Sequence, residues 1–273
     1  MNKLIITVAP TGNVPTKALN PSTPETVDEI VADVLKCREL GAAVAHIHVR
    51  DAEGKPTCDR ELYKQVLDKL AAKGCDIITQ VSTGARGGGN SSEWRGQMLD
   101  LNAEMASLST GSSNFPNIVN ANPFDLIKEL ADKMYSNNIK PEIEAFDLGM
   151  IDNARLLLKE GVLKGPLQFN LVMNVRGSAA GTPRNLLHMI ESLPEGSTYT
   201  VSGIGPSQVT MLTMSMLLGG NTRTGLEDSL LYAKGVPATN AMLVERVVRI
   251  AKEIGREIAT PDEAREILGL PKK

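Results

Sequence analysis

Short apolar runs alternate with amphipathic segments along nearly the whole chain, and this alternation limits the fold more than any other feature of the sequence. Eight runs of strand length occur, and each is followed by a segment with apolar residues at helical spacing. Eight such units in succession are typical of a (β/α)8 TIM barrel, an α/β fold of about 250 residues. We predict the barrel strands at 4–8, 42–49, 76–82, 103–109, 140–147, 167–172, 197–201 and 219–223.

The helices between these strands carry recognisable start and stop signals. A hydroxyl followed by proline in Ser22-Thr23-Pro24 predicts the start of the first helix, and Gly41 its end. An open doubly wound sheet is the alternative fold, but the even period and the lack of a GxGxxG after the first strand disfavour it. The other helices are predicted at 59–73, 94–101, 123–136, 152–159, 184–192, 207–218 and 241–254, with a last short one from Thr260.

Composition and charge exclude several classes of protein. The chain has 273 residues, 42% of them hydrophobic and only 3% aromatic, which predicts one domain over 1–273 with an aliphatic core. The net charge of −3 argues against a nucleic-acid partner, and no run approaches the ~18 apolar residues of a membrane helix. The cysteines form no CxxC, and the N-terminus has no signal-peptide cleavage pattern, so we expect a cytoplasmic protein.

Two histidines lie at the end of the second predicted strand, where the active sites of these barrels form. Because alternate residues of a strand share a face, His46 and His48 can bind one cation, zinc above all. Glu227, just after the eighth strand, is a better third ligand than His188, which lies within a predicted helix. The alternatives are histidines satisfied by neighbouring backbone and an acid that only favours a helix start.

Other strand ends are also polar. Ser82, Thr83 and Gly84 begin a loop that continues through Ala85-Arg86 and Gly87-Gly88-Gly89, and its hydroxyls and N–H groups are able to hold a carboxylate. A flexible glycine loop explains the same residues. Acids in a buried strand need a partner or a function. The fourth strand carries Ser107, the fifth carries Glu142, Glu144 and Asp147, and the seventh ends in Gly203-Ile204-Gly205.

Taken together, these motifs resemble the β-keto acid cleavage enzyme family, and the resemblance spans essentially the whole chain. It implies zinc held by His46, His48 and Glu227, a catalytic Arg223–Asp228 pair, and a homo-oligomer, a tetramer or larger. It also implies substrate-binding positions at Ser82, Thr83, Gly84, Ser107 and Glu144, with Ser107 in place of a common threonine. The motifs are Thr11-Gly12, His46-Ile47-His48-Val49-Arg50, 80–84, 104–108, 141–144, 203–205, Arg223-Thr224-Gly225-Leu226-Glu227-Asp228, 250–256 and 259–261.

The resemblance further implies a reaction between a 3-oxo acid and acetyl-CoA. Zinc would supply a Lewis acid for the ketone, and Asp228, oriented by Arg223, would be the base that makes the enolate of acetyl-CoA. Ser82 is also expected to take part in catalysis. After CoA migration, a retro-Claisen step would release acetoacetate and an acyl-CoA.

Two departures from the family pattern bear on the substrate. Family members that act on an amine-bearing acid carry an acidic residue where this chain has Val14, beside Asn13, so an ammonium group on the substrate is disfavoured. Arg176 lies in a loop after the sixth strand, where a turn rich in glycine and proline is expected. Arg176 either contacts a second carboxylate or a CoA phosphate, or is a surface arginine.

Other classes remain open as alternatives. A different metal-dependent barrel lyase, aldolase or hydrolase is one; amidohydrolases also have HxH, but on the first strand with further histidines on the fifth and sixth, which this chain lacks. A non-catalytic metal-binding or acyl-CoA-binding protein is another. Arg223, Asp228 and Ser82 argue against it, because metal storage does not need them.

Overall fold

The computed structural model describes residues 2–84, 89–115 and 119–272 and contains a closed barrel of eight parallel strands. Each strand pairs with the next along the chain, and the last pairs with the first, which closes the barrel. This confirms the predicted (β/α)8 fold. The strands are β1 Ile6–Val8, β2 Val44–Ile47, β3 Ile78–Val81, β4 Met105–Ser109, β5 Lys140–Ala145, β6 Gln168–Met173, β7 Thr198–Gly203 and β8 Asn221–Thr224.

Helices follow the strands and cover the outside of the barrel. No helix among the described residues is long and apolar enough to cross a membrane. A 3-10 turn at Gly205–Ser207 joins β7 to the next helix. The helices are α1 Val27–Glu39, α2 Arg60–Ala72, α3 Ser92–Arg95, α4 Phe124–Ser136, α5 Leu148–Lys159, α6 Pro183–Glu191, α7 Gln208–Leu217, α8 Asn240–Glu253 and α9 Pro261–Leu268.

Three helix starts differ from the prediction because other residues cap them. α1 begins at Val27, where Thr26 and Glu29 form a capping box, and not at 22–24. α5 begins at Leu148 because the Asp147 side chain accepts a hydrogen bond from the Met150 N–H, so Asp147 is a helix cap. The helix predicted at 94–101 is a single turn that begins at Ser92, because the Ser91 side chain accepts a hydrogen bond from the Trp94 N–H, and that ends before Gly96.

The amino-terminal end of the barrel is closed by apolar packing. Side chains of α9, among them Ala264 and Leu268, pack against Ile5, Val44 and Ile78, which lie where β1, β2 and β3 begin. The buried guanidinium of Arg265 makes two hydrogen bonds to Glu104, at 2.7 and 3.0 Å, which fasten α9 to the chain just before β4. The reacting site must therefore lie at the opposite end, where the strands end.

In the part of the chain that the structure describes, three short hairpins extend from that carboxyl-terminal end. They pair Val49–Arg50 with Pro56–Thr57, Ser113–Asn114 with Val119–Asn120, and Leu231–Ala233 with Val236–Pro237. They follow β2, β4 and β8 respectively, so each extends a loop above the barrel mouth. The middle of the barrel is polar: Gln80, Glu142, Gln168, Asn170 and Ser202 are all buried there.

Candidate active site

Three potential ligand side chains meet at the carboxyl-terminal mouth of the barrel. His46 lies on β2, His48 just beyond it, and Glu227 in the turn after β8. The two Nε2 atoms are 3.2 Å apart, and Glu227 Oε1 lies 3.4 Å from His48 Nε2. Glu227 Oε2 lies 3.8 Å from His46 Nε2. One ligand atom from each residue falls within 4.8 Å of the others, so the three are able to hold one metal ion.

The surroundings of the cluster also suit a metal ion. His46 Nδ1 lies 2.6 Å from Gln80 Oε1, which can only accept, so Nδ1 carries the proton and Nε2 keeps its lone pair. Burial, with the charge of Arg223, lowers the pKa of His46 to about 3, which keeps the imidazole neutral. Glu227 Oε2 is buried, and among the described residues it has no hydrogen-bond partner. A neutral imidazole and a free carboxylate oxygen are what a cation requires.

Two glycines allow Glu227 to occupy this position. Gly12 has a φ of +68°, and a Cβ there would overlap the side chain of Glu227. Gly225 has a φ of +147°, and a Cβ there would overlap the backbone of Ala9. The chain therefore passes close enough for the Glu227 N–H to donate to the Ala9 carbonyl at 3.2 Å. Glycine is needed at both positions because any side chain would push β8 and its turn away from β1.

A single buried arginine binds three acids beside the histidines. Arg223 Nε and Nη2 donate to the two oxygens of Asp228, at 3.1 and 2.9 Å. Nη2 also lies 2.7 Å from Glu227 Oε1, and Nη1 donates to Glu144 Oε1 at 3.2 Å. All four residues line the same cavity. The predicted Arg223–Asp228 pair is thus in contact, and Glu144 joins it.

The pKa values of these acids differ because their surroundings differ. Burial raises the pKa of Asp228 to about 6, and it also raises the pKa of Glu144, although Arg223 opposes both shifts. Burial acts the same way on Glu227, but Arg223 and His48 outweigh it and hold the pKa of Glu227 well below its usual range. Glu227 is therefore the acid that stays ionised beside the histidines.

The loop after β1 is held over the site by an arginine of the HxH motif. Arg50 Nη2 donates to the carbonyls of Gly12 and Pro15, at 2.8 and 2.6 Å. Asn13 Nδ2 donates to the Gly84 carbonyl at 2.7 Å, which ties this loop to the one after β3. Val14 lies between these anchors on the cavity wall, with 52% of its surface exposed.

The hydroxyl residues after β3 and β4 divide into two groups. Ser82 lines the cavity, as does Gly84, whose N–H donates to Ser82 Oγ at 3.2 Å. Thr83 and Ser107 lie behind them: Thr83 Oγ1 donates to the Ser107 carbonyl at 2.7 Å, and Ser107 Oγ is 3.5 Å from Ser82 Oγ. These two support Ser82 and do not face the cavity. The rest of the predicted carboxylate loop, 85–88, lies outside the described residues.

One cavity of about 820 Å³ joins most of the predicted residues. Arg176 is exposed and also lies on the wall of this cavity, and its contact with a second carboxylate or a CoA phosphate stays a prediction. Glu142 lies deeper in the barrel, where it accepts a hydrogen bond from Gln168 Nε2 at 3.1 Å. His188 is exposed on α6 and does not line the cavity. The predicted residues on the cavity wall are Asn13, Val14, His48, Ser82, Gly84, Glu144, Arg176, Arg223, Glu227 and Asp228.

Several residues of the site were not predicted. Gln80 lies on the same strand face as Ser82, which the alternation rule predicts, but only the pairing of β2 with β3 places Gln80 beside His46. Arg50 was visible in the HxH motif but carried no assigned role. Tyr232, Lys234 and Arg246 line the cavity from the last hairpin and α8, and no local pattern connects these segments to the site.

Comparison with known proteins agrees with this geometry. A 3-keto-5-aminohexanoate cleavage enzyme from Acetoanaerobium sticklandii is 45% identical over 274 residues, covering all of both chains. A 3-oxoadipate:acetyl-CoA acetyltransferase from Cupriavidus necator is 43% identical, covering 98% of this chain and 95% of the relative. The solved apo structure of ObcA matches in fold, with a TM-score of 0.79 over 92% of this chain and 66% of that chain, at 22% identity.

The family model for β-keto acid cleavage enzymes matches residues 3–270. That span contains every element of the barrel, the two histidines, and the arginine with its three acids. The resemblance that the motifs indicated is thereby confirmed over the whole fold. This chain belongs to the β-keto acid cleavage enzyme family.

Proposed function

We propose that this enzyme cleaves a 3-oxo carboxylic acid with acetyl-CoA as co-substrate, holds zinc, and releases acetoacetate and an acyl-CoA. The observation that carries the proposal is the contact between Arg223 and Asp228 beside the His46–His48–Glu227 cluster, at the floor of one cavity. A base, its orienting cation and a metal site within one enclosed space suit enolate chemistry. The relatives named for acetyl-CoA support the co-substrate.

The charges at the cavity floor favour a divalent cation. Arg223 brings one positive charge, while Glu144, Glu227 and Asp228 bring three negative ones when ionised. Burying this excess of negative charge is costly unless a cation balances it. Two imidazole nitrogens and one carboxylate form a three-ligand set that zinc accepts with a position left open. When bound there, zinc supplies a Lewis acid for the substrate ketone.

Asp228 is the residue that we assign as general base. Arg223 binds both of its oxygens, which fixes the carboxylate plane and leaves the remaining lone pairs for the cavity. Acetoacetate and an acyl-CoA form only if C2 of the 3-oxo acid becomes bonded to the thioester carbonyl, so in this role Asp228 takes its proton from C2 of the 3-oxo acid and not from the acetyl methyl group expected from the sequence. The enolate attacks the thioester carbonyl and displaces the CoA thiolate, which adds to the ketone carbon. Cleavage of the C2–C3 bond then releases the acyl-CoA and acetoacetate, whose C2 takes back the proton, and Arg223 stabilises the nearby negative charge. Glu144 touches the same guanidinium and is the next candidate for the role.

Ser82 is assigned to the carboxylate of the substrate. Its Oγ accepts a hydrogen bond from the Gly84 N–H, so its own proton is free to be donated towards the cavity. Ser107 and Thr83 hold this hydroxyl in place from behind, through the contacts of β4 with the loop. Removing the Ser82 hydroxyl is therefore expected to weaken substrate binding.

The cavity wall favours a neutral or acidic 3-oxo acid over one with an ammonium group. A buried ammonium needs a carboxylate partner, and Val14 offers none, while Asn13 offers only a neutral amide oxygen. Arg176 on the same wall repels a cation and attracts a second carboxylate. Relatives named for an aminohexanoate and for 3-oxoadipate are about equally similar to this chain, so overall similarity does not decide between them.

We also propose a homo-oligomer, a tetramer or larger, as the resemblance implies. Outward-facing apolar side chains on neighbouring helices support it, because an exposed apolar patch marks an association surface. Localisation in the cytoplasm stays a prediction from the sequence. These exposed apolar residues are Leu156 on α5, Leu187 on α6 and Leu217 on α7, none of which lines the cavity.

A turnover assay tests the proposed function directly. Purified protein with acetyl-CoA and a panel of 3-oxo acids should release acetoacetate with at least one of them, and only when both substrates are present. Loss of the 3-oxo acid in the absence of acetyl-CoA, with acetate released in place of acetoacetate, would favour a hydrolase. Binding of acetyl-CoA without any turnover across the panel would favour the non-catalytic alternative.

A further inference from the structure

Positively charged side chains from the last hairpin and α8 lie at the outer rim of the cavity. Lys234 lies exposed in the hairpin after β8, and Arg246 lies half-buried on α8; both line the cavity that contains Asp228. Arg249 follows one turn later on α8 and is exposed. The cavity therefore runs from a buried acidic floor to an exposed basic rim.

These cations have no acidic partner among the residues that the structure describes. No carboxylate lies within 4.0 Å of their nitrogens, and even Glu245, four residues before Arg249 on the same helix, forms no ion pair with it. The chain as a whole carries a net charge of −3, so a local excess of positive charge at the rim does not follow from composition. Unpaired cations beside a cavity indicate an anionic ligand.

Tyr232 holds the two guanidinium groups in place. The central carbon of the Arg246 guanidinium lies 3.5 Å from the centroid of the Tyr232 ring, and Arg246 Nη2 also donates to the Tyr232 carbonyl. Arg249 Nη2 donates to the Tyr232 hydroxyl at 3.1 Å. Arginine side chains fixed in this way retain free N–H donors, which suit phosphate oxygens.

The wall between floor and rim is apolar. It is formed by Ile204, Pro206, Val209 and Leu231, and the last two are exposed in the absence of a ligand. An uncharged chain that links a reacting thioester to a group of phosphates fits this order of surfaces.

We propose that Lys234, Arg246 and Arg249 form the subsite for the phosphorylated nucleotide end of the CoA thioester. The uncharged arm of the thioester then lies along the apolar wall and brings the thioester carbonyl to the 3-oxo acid at the cavity floor beside Asp228. This inference rests on the proposed function, because it takes acetyl-CoA as the co-substrate.

The test compares two thioesters that differ only in the nucleotide. Acetyl-CoA and acetyl-pantetheine are assayed with the wild type, with the R246Q/R249Q double variant, and with R184Q, whose arginine is exposed on α6 away from the cavity. We expect the double variant to raise KM for acetyl-CoA about tenfold, because charged contacts to phosphate are lost. KM for acetyl-pantetheine and all values for R184Q should stay unchanged.

Y232F provides a second variant that keeps the ring beneath Arg246 but removes the hydroxyl that holds Arg249. It should raise KM for acetyl-CoA by a smaller factor and leave kcat unchanged. Equal rises for both thioesters in the double variant, or no rise for acetyl-CoA, would overturn the proposal.

Failure of the proposed function is distinguishable from failure of this subsite. If neither thioester yields acetoacetate with the wild type, the proposed function is wrong. Calorimetric titration with CoA and with pantetheine then tests, independently of turnover, whether the basic rim binds the nucleotide. Weaker binding of CoA, but not of pantetheine, in the double variant supports the subsite. Equal binding of CoA by the wild type and the double variant contradicts it.

Discussion

Arg223 and Asp228 are joined by two parallel hydrogen bonds, from Nε to Oδ2 at 3.1 Å and from Nη2 to Oδ1 at 2.9 Å. The pair is buried, and its five-residue spacing spans the turn in which Gly225 lies against Ala9. This geometry fixes the Asp228 carboxylate in position without help from solvent. Replacement of that carboxylate is therefore the most direct test of its role.

We expect Asp228→Asn to fold and keep zinc but to lose about 10²–10⁴-fold in turnover, the usual effect of losing a general base. The asparagine keeps one oxygen for Arg223, so the local structure should survive. Steady-state rates, with circular dichroism and zinc content as controls, measure the effect. Asp132→Asn, an exposed change on α4, is the matched control, and near-normal turnover of the Asp228 variant would move the role to Glu144.

Zinc content tests the ligand set. We expect about one zinc per chain in the wild type and loss of it in the His46→Ala, His48→Ala double variant, because a single carboxylate is a weak site. Elemental analysis of dialysed protein measures this. His188→Ala removes an exposed histidine from α6 and should retain the metal. Undiminished zinc in the double variant would show that the metal binds elsewhere.

Gly12→Ala should disturb the metal site although residue 12 is not a ligand. The new Cβ would overlap the Glu227 side chain, and Gly12 also has a φ of +68°, which alanine tolerates poorly. Gly196→Ala separates these effects, since Gly196 has a φ of +77° but no atom within 4 Å of a built Cβ. We expect zinc to fall only in the Gly12 variant; equal zinc in both would mean that the contact with Glu227 is unimportant.

Glu142 should make stability depend on pH. Burial raises its pKa from 4.5 to about 7, so the folded state holds a proton that the unfolded chain has released over this range. Stability is then lost as pH rises from 4.5 to 7 and stays lower above it. At about 1.4 kcal/mol for each pH unit, the penalty is at most roughly 3.5 kcal/mol.

Glu142→Gln removes this penalty while its carbonyl still accepts from Gln168. The variant should resemble the wild type in urea unfolding at pH 4.5 and be more stable at pH 8. Glu195→Gln, in an exposed turn, serves as the control. A stability difference that does not change between the two pH values would contradict the pKa assigned to Glu142.

Substrate charge provides the last prediction. We expect kcat/KM for 3-oxohexanoate or 3-oxoadipate to exceed that for 5-amino-3-oxohexanoate, because Val14 gives an ammonium group no partner and Arg176 repels it. Val14→Glu should raise turnover of the amine relative to the neutral acid. If the amine were the best substrate of the wild type, an acidic side chain other than one at position 14 would have to reach the cavity and pair with the ammonium group.

The sequence by itself determined the barrel and the residues at its mouth. Hydrophobic period and strand length define eight strand–helix units, and parallel strands of this kind close in one way that puts all their carboxyl ends together. His46, Glu227 and Asp228 were therefore predictable as neighbours from their positions at the end of β2 and after β8. The start of α1 was predicted too early, because Ser22-Thr23-Pro24 carries a start signal, although Thr26 with Glu29 three residues later is the capping box that the structure uses.

Tertiary structure alone decided how these residues are held. Gln80 fixes the tautomer of His46, Gly12 makes room for Glu227, and Arg50 anchors the first loop, and each contact joins segments far apart in the chain. The same holds for Arg246 and Tyr232, which reach the cavity only because α8 packs beside the hairpin after β8. Local sequence patterns report secondary structure and burial, whereas the distance between side chains on different elements depends on how those elements pack.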